Sequence, residues 1–283
     1  MIHNEYNIPS LHNNKSVTYD LRYNENFKDQ PLIIFLHGFK GFKDWGHFNK
    51  IGDSFVEKGF AFLKINFSHN GTSPENLEEF VDLDAFGKNN FSIELDDINQ
   101  VLNHLENEKY DFINYSQINL LGHSKGGATA IIKSYEDGRI NKSATLASVI
   151  MIKDRYANEL EEWKSKGVIY IPNSRTNQEM PLYYQLAEDI LANEKRFDIP
   201  TIIKNYDKEL LMVHGAKDET VRIEELDLIK DLSPKVKYYI IPDTNHTFDG
   251  SHPWEDKELH IYTKEAIETI ASFFKKPAFK HSS

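Results

Sequence analysis

The chain has 283 residues, with 33 Lys+Arg against 44 Asp+Glu for a formal net charge of −11, 12 His and no cysteine. Hydrophobic residues at 40% and aromatics at 12% supply enough core material to exclude a disordered chain. The acidic balance argues against a general polyanion binder, so no nucleic-acid partner is expected, although a local basic patch remains open. The absence of cysteine removes disulfide scaffolds, thiolate zinc sites, iron–sulfur clusters and cysteine nucleophiles together.

Met1–Ser10 has no basic segment followed by an apolar stretch, so no secretory signal is expected. The apolar runs Leu32–Leu36 and Leu146–Ile152 are too short to cross a bilayer. A soluble, cytoplasmic protein without a membrane partner is the expectation.

In chain order, Ser16–Tyr23 alternates, with Val17, Tyr19, Leu21 and Tyr23 on one face, as an antiparallel edge strand with one solvated face does. Pro31–Leu36 and Phe60–Asn66 read as buried strands. Phe91–Leu105 has helical spacing, with Ser92 as its cap. Gln117–Leu121 reads as a strand, Ser124–Tyr135 as a helix and Leu146–Ile152 as a further strand. Leu210–Val213 and Val236–Ile241 continue the strand series, while Ile223–Leu232 and Leu259–Phe274 read as helices. Near-continuous apolar strands separated by helices imply a mostly parallel central sheet covered on both faces. The stretch at about 153–205 is longer than a crossover helix needs, and reads as a cap inserted into a single domain spanning 1–283. Lys275–Ser283 is expected to fray.

The chemistry concentrates in Leu120-Leu-Gly-His-Ser-Lys-Gly-Gly127, a Gly-x-Ser-x-Gly motif with a strand before it and a helix after it. A serine on so sharp a turn is held in a strained backbone, its neighbours two residues away must be tiny, and its hydroxyl lies near a helix N-terminus that favours negative charge. A nucleophilic serine needs a base, and the base needs a carboxylate to orient it. Asp218 follows the strand Leu210–Val213 and His246 follows Val236–Ile241, so both stand in loops after core strands. Glu219 and Asp243 are the competing acids; loop position favours Asp218.

These residues resemble the α/β-hydrolase superfamily over about Ser16 to Phe274. The likeness extends to His37-Gly38 after the first long core strand and to Gly215-Ala-Lys-Asp218-Glu-Thr-Val221 around the acid. Asn70, before Gly71, departs from the charged residue that relatives often carry there. His37-Gly-Phe-Lys-Gly41 and the insertion are similar to the cinnamoyl (feruloyl) esterase and dienelactone-hydrolase-like branches. The resemblance implies an α/β-hydrolase fold with a cap or lid, and a cofactor-independent serine hydrolase acting on a small-molecule carboxylic ester with a small or aromatic acyl group. Ser124 would be the nucleophile, His246 the base and Asp218 its orienting acid, with the backbone N–H groups of Phe39 and Lys125 as the oxyanion hole. An amidase, peptidase or thioesterase would use the same triad, and a hydrolase scaffold retained for binding is the non-enzymatic alternative.

Phe39, Phe42, Trp45 and Trp163 read either as an aromatic acyl pocket or as ordinary core. Arg175, Tyr183 and Tyr184 in the insertion are either substrate contacts or packing residues. His37 and His214 read as loop-bonding groups, and His123 as packed under the turn. His47, His252 and His260 match no compact ligand motif, so no metal is expected. Oligomeric state is not legible.

Overall fold

The computed structural model describes residues 1–156, 160–173 and 175–277. Its centre is an eight-stranded sheet. The chain-order elements are β1 (Ile2–Pro9), β2 (Ser16–Tyr23), β3 (Gln30–Leu36), α1 (Phe48–Glu57), β4 (Ala61–Asn66), α2 (Leu83–Lys88) and α3 (Phe91–Glu108). They continue with β5 (Ile113–His123), α4 (Lys125–Glu136) and β6 (Ile140–Leu146). The sheet order is β1-β2-β4-β3-β5-β6 followed by β9 (Glu209–Gly215) and β10 (Val236–Ile241). Strands from β4 through β10 pair in parallel, while β1 and β2 join antiparallel at one edge. This is the α/β-hydrolase fold.

Side chains alternate across the sheet, so each core strand feeds two cores. Ile33 and Phe35 pack with α1 and with the last helix, α9 (Ile261–Lys275), through Phe48, Phe55, Ile267 and Ile270. Leu32, Ile34 and Leu36 face Ile98, Val101 and Leu105 of α3. Helices therefore cover both faces, and the loops leaving the C-terminal ends of the parallel strands converge along one edge, where ligands bind in open α/β sheets.

Between β6 and β9 lie a 3-10 turn (Lys153–Tyr156), α5 (Leu160–Lys166), a hairpin of β7 (Val168–Asn173) and β8 (Gln178–Tyr183), α6 (Gln185–Ala192) and α7 (Ile199–Lys204). Gln178 Nε2 donates to the Phe80 carbonyl at 2.9 Å, and Tyr183 Oη donates to Asp84 at 3.0 Å, tying the hairpin to α2 and the loop before it. Asn90 Nδ2 donates to Gln185 Oε1 at 2.6 Å, tying α6 to the start of α3. Within the expected insertion, residues 157–159 and 174 lie outside the described residues, as do 278–283 of the C-terminal segment expected to fray.

Four sequence expectations need correction. Leu146–Ile152 is not a strand: β6 ends at Leu146, and Ala147 takes a left-handed backbone (φ 50°). The run is apolar because Val149, Ile150 and Ile152 are buried with the insertion's side chains, and burial rather than extension explains it. The true strand, Ile140-Asn-Lys-Ser-Ala-Thr-Leu146, is masked by polar residues, of which Lys142, Ser143 and Thr145 are buried. Lys142 Nζ meets Glu209 Oε2 at 2.9 Å and donates to the carbonyls of Phe273 and Lys276.

Second, β2 is not an edge strand; β1 covers it, and its apparently solvated face is a buried ionic network. Asp20 accepts from Arg22 Nε at 3.0 Å and lies beside His3, Lys43 and Lys64. Third, of Ile223–Leu232 only α8 (Glu224–Asp227) is helical. Turns follow, ahead of Pro234, which disfavours helix at Ser233. The segment still buries Leu226 of α8 and Ile229 of the turn, which satisfies the helical spacing. Fourth, α3 is capped by Asn90, whose side chain accepts from Ile93 N–H at 2.8 Å, while Ser92 bonds Asp189.

Removing one partner of a buried ion pair strands the other charge. Lys142→Ala is therefore expected to lower the unfolding free energy by about 3–5 kcal/mol in chemical denaturation. A loss of under about 1 kcal/mol would contradict this account of β6.

Candidate active site

Ser124 sits where β5 ends and α4 begins, with φ 57° and ψ −119°, a backbone conformation that L-residues rarely adopt. Backbone hydrogen bonds hold it there: its N–H donates to the Leu146 carbonyl at 2.9 Å, and its own carbonyl accepts from Gly127 N–H at 3.0 Å, Val149 N–H at 3.2 Å and Ala128 N–H at 3.4 Å. The turn is closed so tightly that a Cβ on Gly122 would stand 2.0 Å from the Gly126 carbonyl oxygen, and one on Gly126 would stand 2.3 Å from that of Leu36. Only glycine fits either position.

The loop after β3 abuts the serine, since a Cβ on Gly38 would meet Ser124 Cβ at 3.0 Å. Gly41 N–H donates to the Gly38 carbonyl at 3.1 Å, closing a turn that leaves Phe39 N–H outside this bond. Lys125 N–H is the first of α4, and first-turn N–H groups have no acceptor within their helix. His37 braces the turn, its Nδ1–H donating to the Gly38 carbonyl at 2.9 Å, and burial pushes its imidazole down to about 4. Asn70, the departure noted in the sequence, approaches His37 Nε2 and the Gly41 carbonyl, each at 3.5 Å, and accepts from Thr72; it anchors this loop without a charge.

Asp218 and His246 come together from the loops after β9 and β10. His246 Nδ1–H donates to Asp218 Oδ2 at 2.7 Å, and Asp218 Oδ1 accepts from the N–H groups of Thr220 and Val221 at 2.8 and 2.9 Å. His214 Nε2 lies 3.3 Å from Oδ2. Burial pushes this carboxyl up, but the hydrogen bonds from His214 and His246 outweigh it and hold Asp218 well below the usual carboxylate range. Glu219 is exposed, and Asp243 pairs with Lys217 at 2.8 Å. His123 joins the serine to the histidine loop: its buried Nε2–H donates to the His246 carbonyl at 2.9 Å. Burial, and then the neighbouring His246, push the His123 imidazole down to about 3.

Ser124 and His246 line one open cavity of about 350 Å³ with Gly38, Phe39, Trp45 and Phe48. Trp45 thus stands in the wall. Phe42, Trp163 and Tyr183 do not, which corrects the expectation that they border the substrate. Phe42 is buried in the core, and Trp163 is buried with its Nε1–H donating to the Leu182 carbonyl at 2.8 Å. Tyr183 points to Asp84 on α2. Arg175 is in the wall, joined by Lys40, Asn173 and His252, none of which the sequence placed beside the substrate. Only the hairpin carrying Asn173 and Arg175 over the strand ends reveals them, and no local motif marks it. His47 and His252 lie near the cavity without converging with His260, and among the described residues no group of three His, Asp or Glu side chains is placed to hold a metal. No helix of the described residues is long and apolar enough to cross a membrane.

A family model, BD-FAE, matches residues 19–232, most of the chain. The chain belongs to the BD-FAE family. BD-FAE is an α/β-hydrolase esterase family, so this member is an esterase-like hydrolase. No curated protein matches it by sequence. Among solved structures it is similar to Est1E from Butyrivibrio proteoclasticus (19% identity, 94% of this chain and 96% of that one, TM-score 0.69). It is also similar to the esterase domain of a Rhodothermus marinus protein (14% identity, 96% and 98% covered, TM-score 0.66). A putative dienelactone hydrolase from Klebsiella pneumoniae subsp. pneumoniae shares the fold at 12% identity, with 98% and 99% covered and a TM-score of 0.61.

The neutral, buried His123 makes the BD-FAE site sensitive to acid. In the unfolded chain a histidine takes up a proton as pH falls through about 6.5, whereas folded His123 resists protonation down to about 3. Its contribution to stability is present above pH 6.5 and lost on acidification, by about 2 kcal/mol at pH 5. The stability deficit of His123→Gln relative to the parent is therefore expected to shrink by about that amount between pH 7.5 and pH 5, in urea unfolding. A pH-independent deficit would contradict it.

Proposed function

We propose that this BD-FAE member is a serine hydrolase that cleaves carboxylic esters through an acyl-enzyme on Ser124. The observation that carries the reading is the His246–Asp218 hydrogen bond at 2.7 Å, with His246 and Ser124 in the wall of the same cavity. With Nδ1–H committed to Asp218, the imidazole presents Nε2 as the base. His246 takes the Ser124 proton as Oγ bonds to the ester carbonyl carbon. The resulting oxyanion lies between Phe39 N–H and Lys125 N–H, which bear on it without reorganising. The tetrahedral species collapses, the bond to the alcohol oxygen breaks, and the imidazolium protonates the departing alkoxide. Water then attacks the acyl carbon with His246 again as base, releasing the acid and restoring Ser124. Asp218, held far below its usual range, stays ionised and supports the imidazolium throughout.

Phe39, Trp45 and Phe48 give the cavity an aromatic wall suited to a small or aromatic acyl group. The structural relative Est1E has ferulic acid bound, a group of that size and character. Ser124→Ala is expected to lower aryl-ester kcat by at least about 10³-fold, and Asp218→Asn by about 10⁴-fold, through loss of the working tautomer. Steady-state kinetics on aryl and short-acyl esters beside matched anilides checks both. Wild-type turnover of the anilides with none of the esters would contradict the reading.

A further inference from the structure

The cap wall of the cavity carries positive charge without a counter-charge. In a chain where acids outnumber bases 44 to 33, the cavity lining contains Lys40 and Arg175 and no carboxylate. The Arg175 guanidinium lies over the rings of Phe42 at 5.1 Å and Phe80 at 5.5 Å, which fixes its plane. Its Nη2 is buried and has no hydrogen-bond partner among the described residues. Two residues earlier, at the end of β7, Asn173 lines the same wall, and its Nδ2 is likewise buried and unpartnered. Lys40 Nζ donates to the neighbouring Pro172 carbonyl at 3.1 Å, adding its charge beside them.

Buried donors without acceptors, and a partly desolvated charge without a counter-ion, are costly in a folded chain. An arginine cannot relieve that cost by losing its proton at ordinary pH. Arg175 lines the cavity, and none of its N–H groups makes a hydrogen bond or ion pair to a carboxylate among the described residues. Burial pushes the Arg175 guanidinium down from its ordinary value, and burial followed by Arg175 does the same to Lys40 and His252, as expected where nearby cations lack an anion. An arginine and a lysine in a cavity wall that has no carboxylate of its own suit an anionic group on the ligand, and guanidinium binds a carboxylate with directional hydrogen bonds.

We propose that the ester cleaved here bears a free carboxylate remote from the scissile bond, held by the Arg175 guanidinium beside Asn173 with Lys40 supplying further positive potential. This substrate class rests on the serine-hydrolase reading of the cavity, but recognition can be measured without turnover. The test is calorimetric binding to the full chain carrying Ser124→Ala, with monomethyl glutarate against dimethyl glutarate, two ligands that differ in the free carboxylate. At least about 10-fold tighter binding of the monoester is expected. That preference should fall to under about 3-fold when Arg175→Gln is added, and recover in part with Arg175→Lys, which restores the charge without the planar fork. Asn173→Ala, expected to reduce the preference about 3-fold, carries the test if Arg175→Gln does not fold by circular dichroism. Equal affinity for the two ligands, no measurable binding of the monoester at millimolar concentration, or a preference that survives Arg175→Gln would each overturn the proposal. Failure of the hydrolase reading has a separate signature, an absence of Ser124-dependent turnover on any ester, which leaves this binding comparison intact.

Discussion

The site depends on a backbone constraint. Ser124 is held at positive φ by hydrogen bonds to Leu146, Gly127 and Val149, and the chain closes over itself at Gly122 and Gly126 with no room for a Cβ. The turn aims the hydroxyl away from β5 while leaving the first N–H groups of α4 free of intrahelical acceptors. Those two consequences, a serine at the cavity wall and helix N–H groups without intrahelical acceptors, come from one bend. The neighbouring strands then fix everything else: β3 delivers Phe39, β9 delivers Asp218 and β10 delivers His246, each from a loop at the same edge of the sheet.

Charge is distributed to keep that edge rigid. Asp218 is bound on both oxygens, by imidazole N–H on one side and backbone N–H on the other, so its position and ionisation are set together. His37 and His123 are buried neutral, each spending one ring N–H on a backbone carbonyl of a loop bordering the cavity. Beneath the serine, Lys125 Nζ pairs with buried Glu94 and lies 4.6 Å from the centre of the Phe91 ring, so the residue after Ser124 has its side chain anchored in the helix layer below. The hairpin brings Arg175, which has no ion pair among the described residues, to the cavity wall.

Much of this arrangement was legible in sequence because the relevant signals are local. Gly122-x-Ser124-x-Gly126 between a strand and a helix encodes the bend in five residues, and Asp218 and His246 each follow an apolar run that could only be a core strand. What escaped was governed by contacts between distant residues. The polar strand β6 is buried because Lys142 meets Glu209, some sixty-seven residues on. The polar face of β2 is buried because Asp20 meets Lys64 and His3, and β1 itself shows no apolar alternation deep enough to announce a strand. Phe42 and Trp163 carry the composition of a pocket but lie in the core, whereas Asn173 and Lys40, chemically unremarkable in sequence, stand in the wall. Hydrophobic patterning reports burial; it does not report which buried group faces a cavity.

The central claim is that ester hydrolysis passes through the oxygen of Ser124. The most direct measurement is reaction of the wild-type protein with a fluorophosphonate, with the modified residue mapped by peptide mass spectrometry and ester hydrolysis followed in parallel. The account predicts a single adduct on Ser124, formed in proportion to lost activity and absent in His246→Ala, where the base is missing. Full modification of Ser124 with ester hydrolysis intact, or loss of activity through an adduct on a different residue, would contradict it.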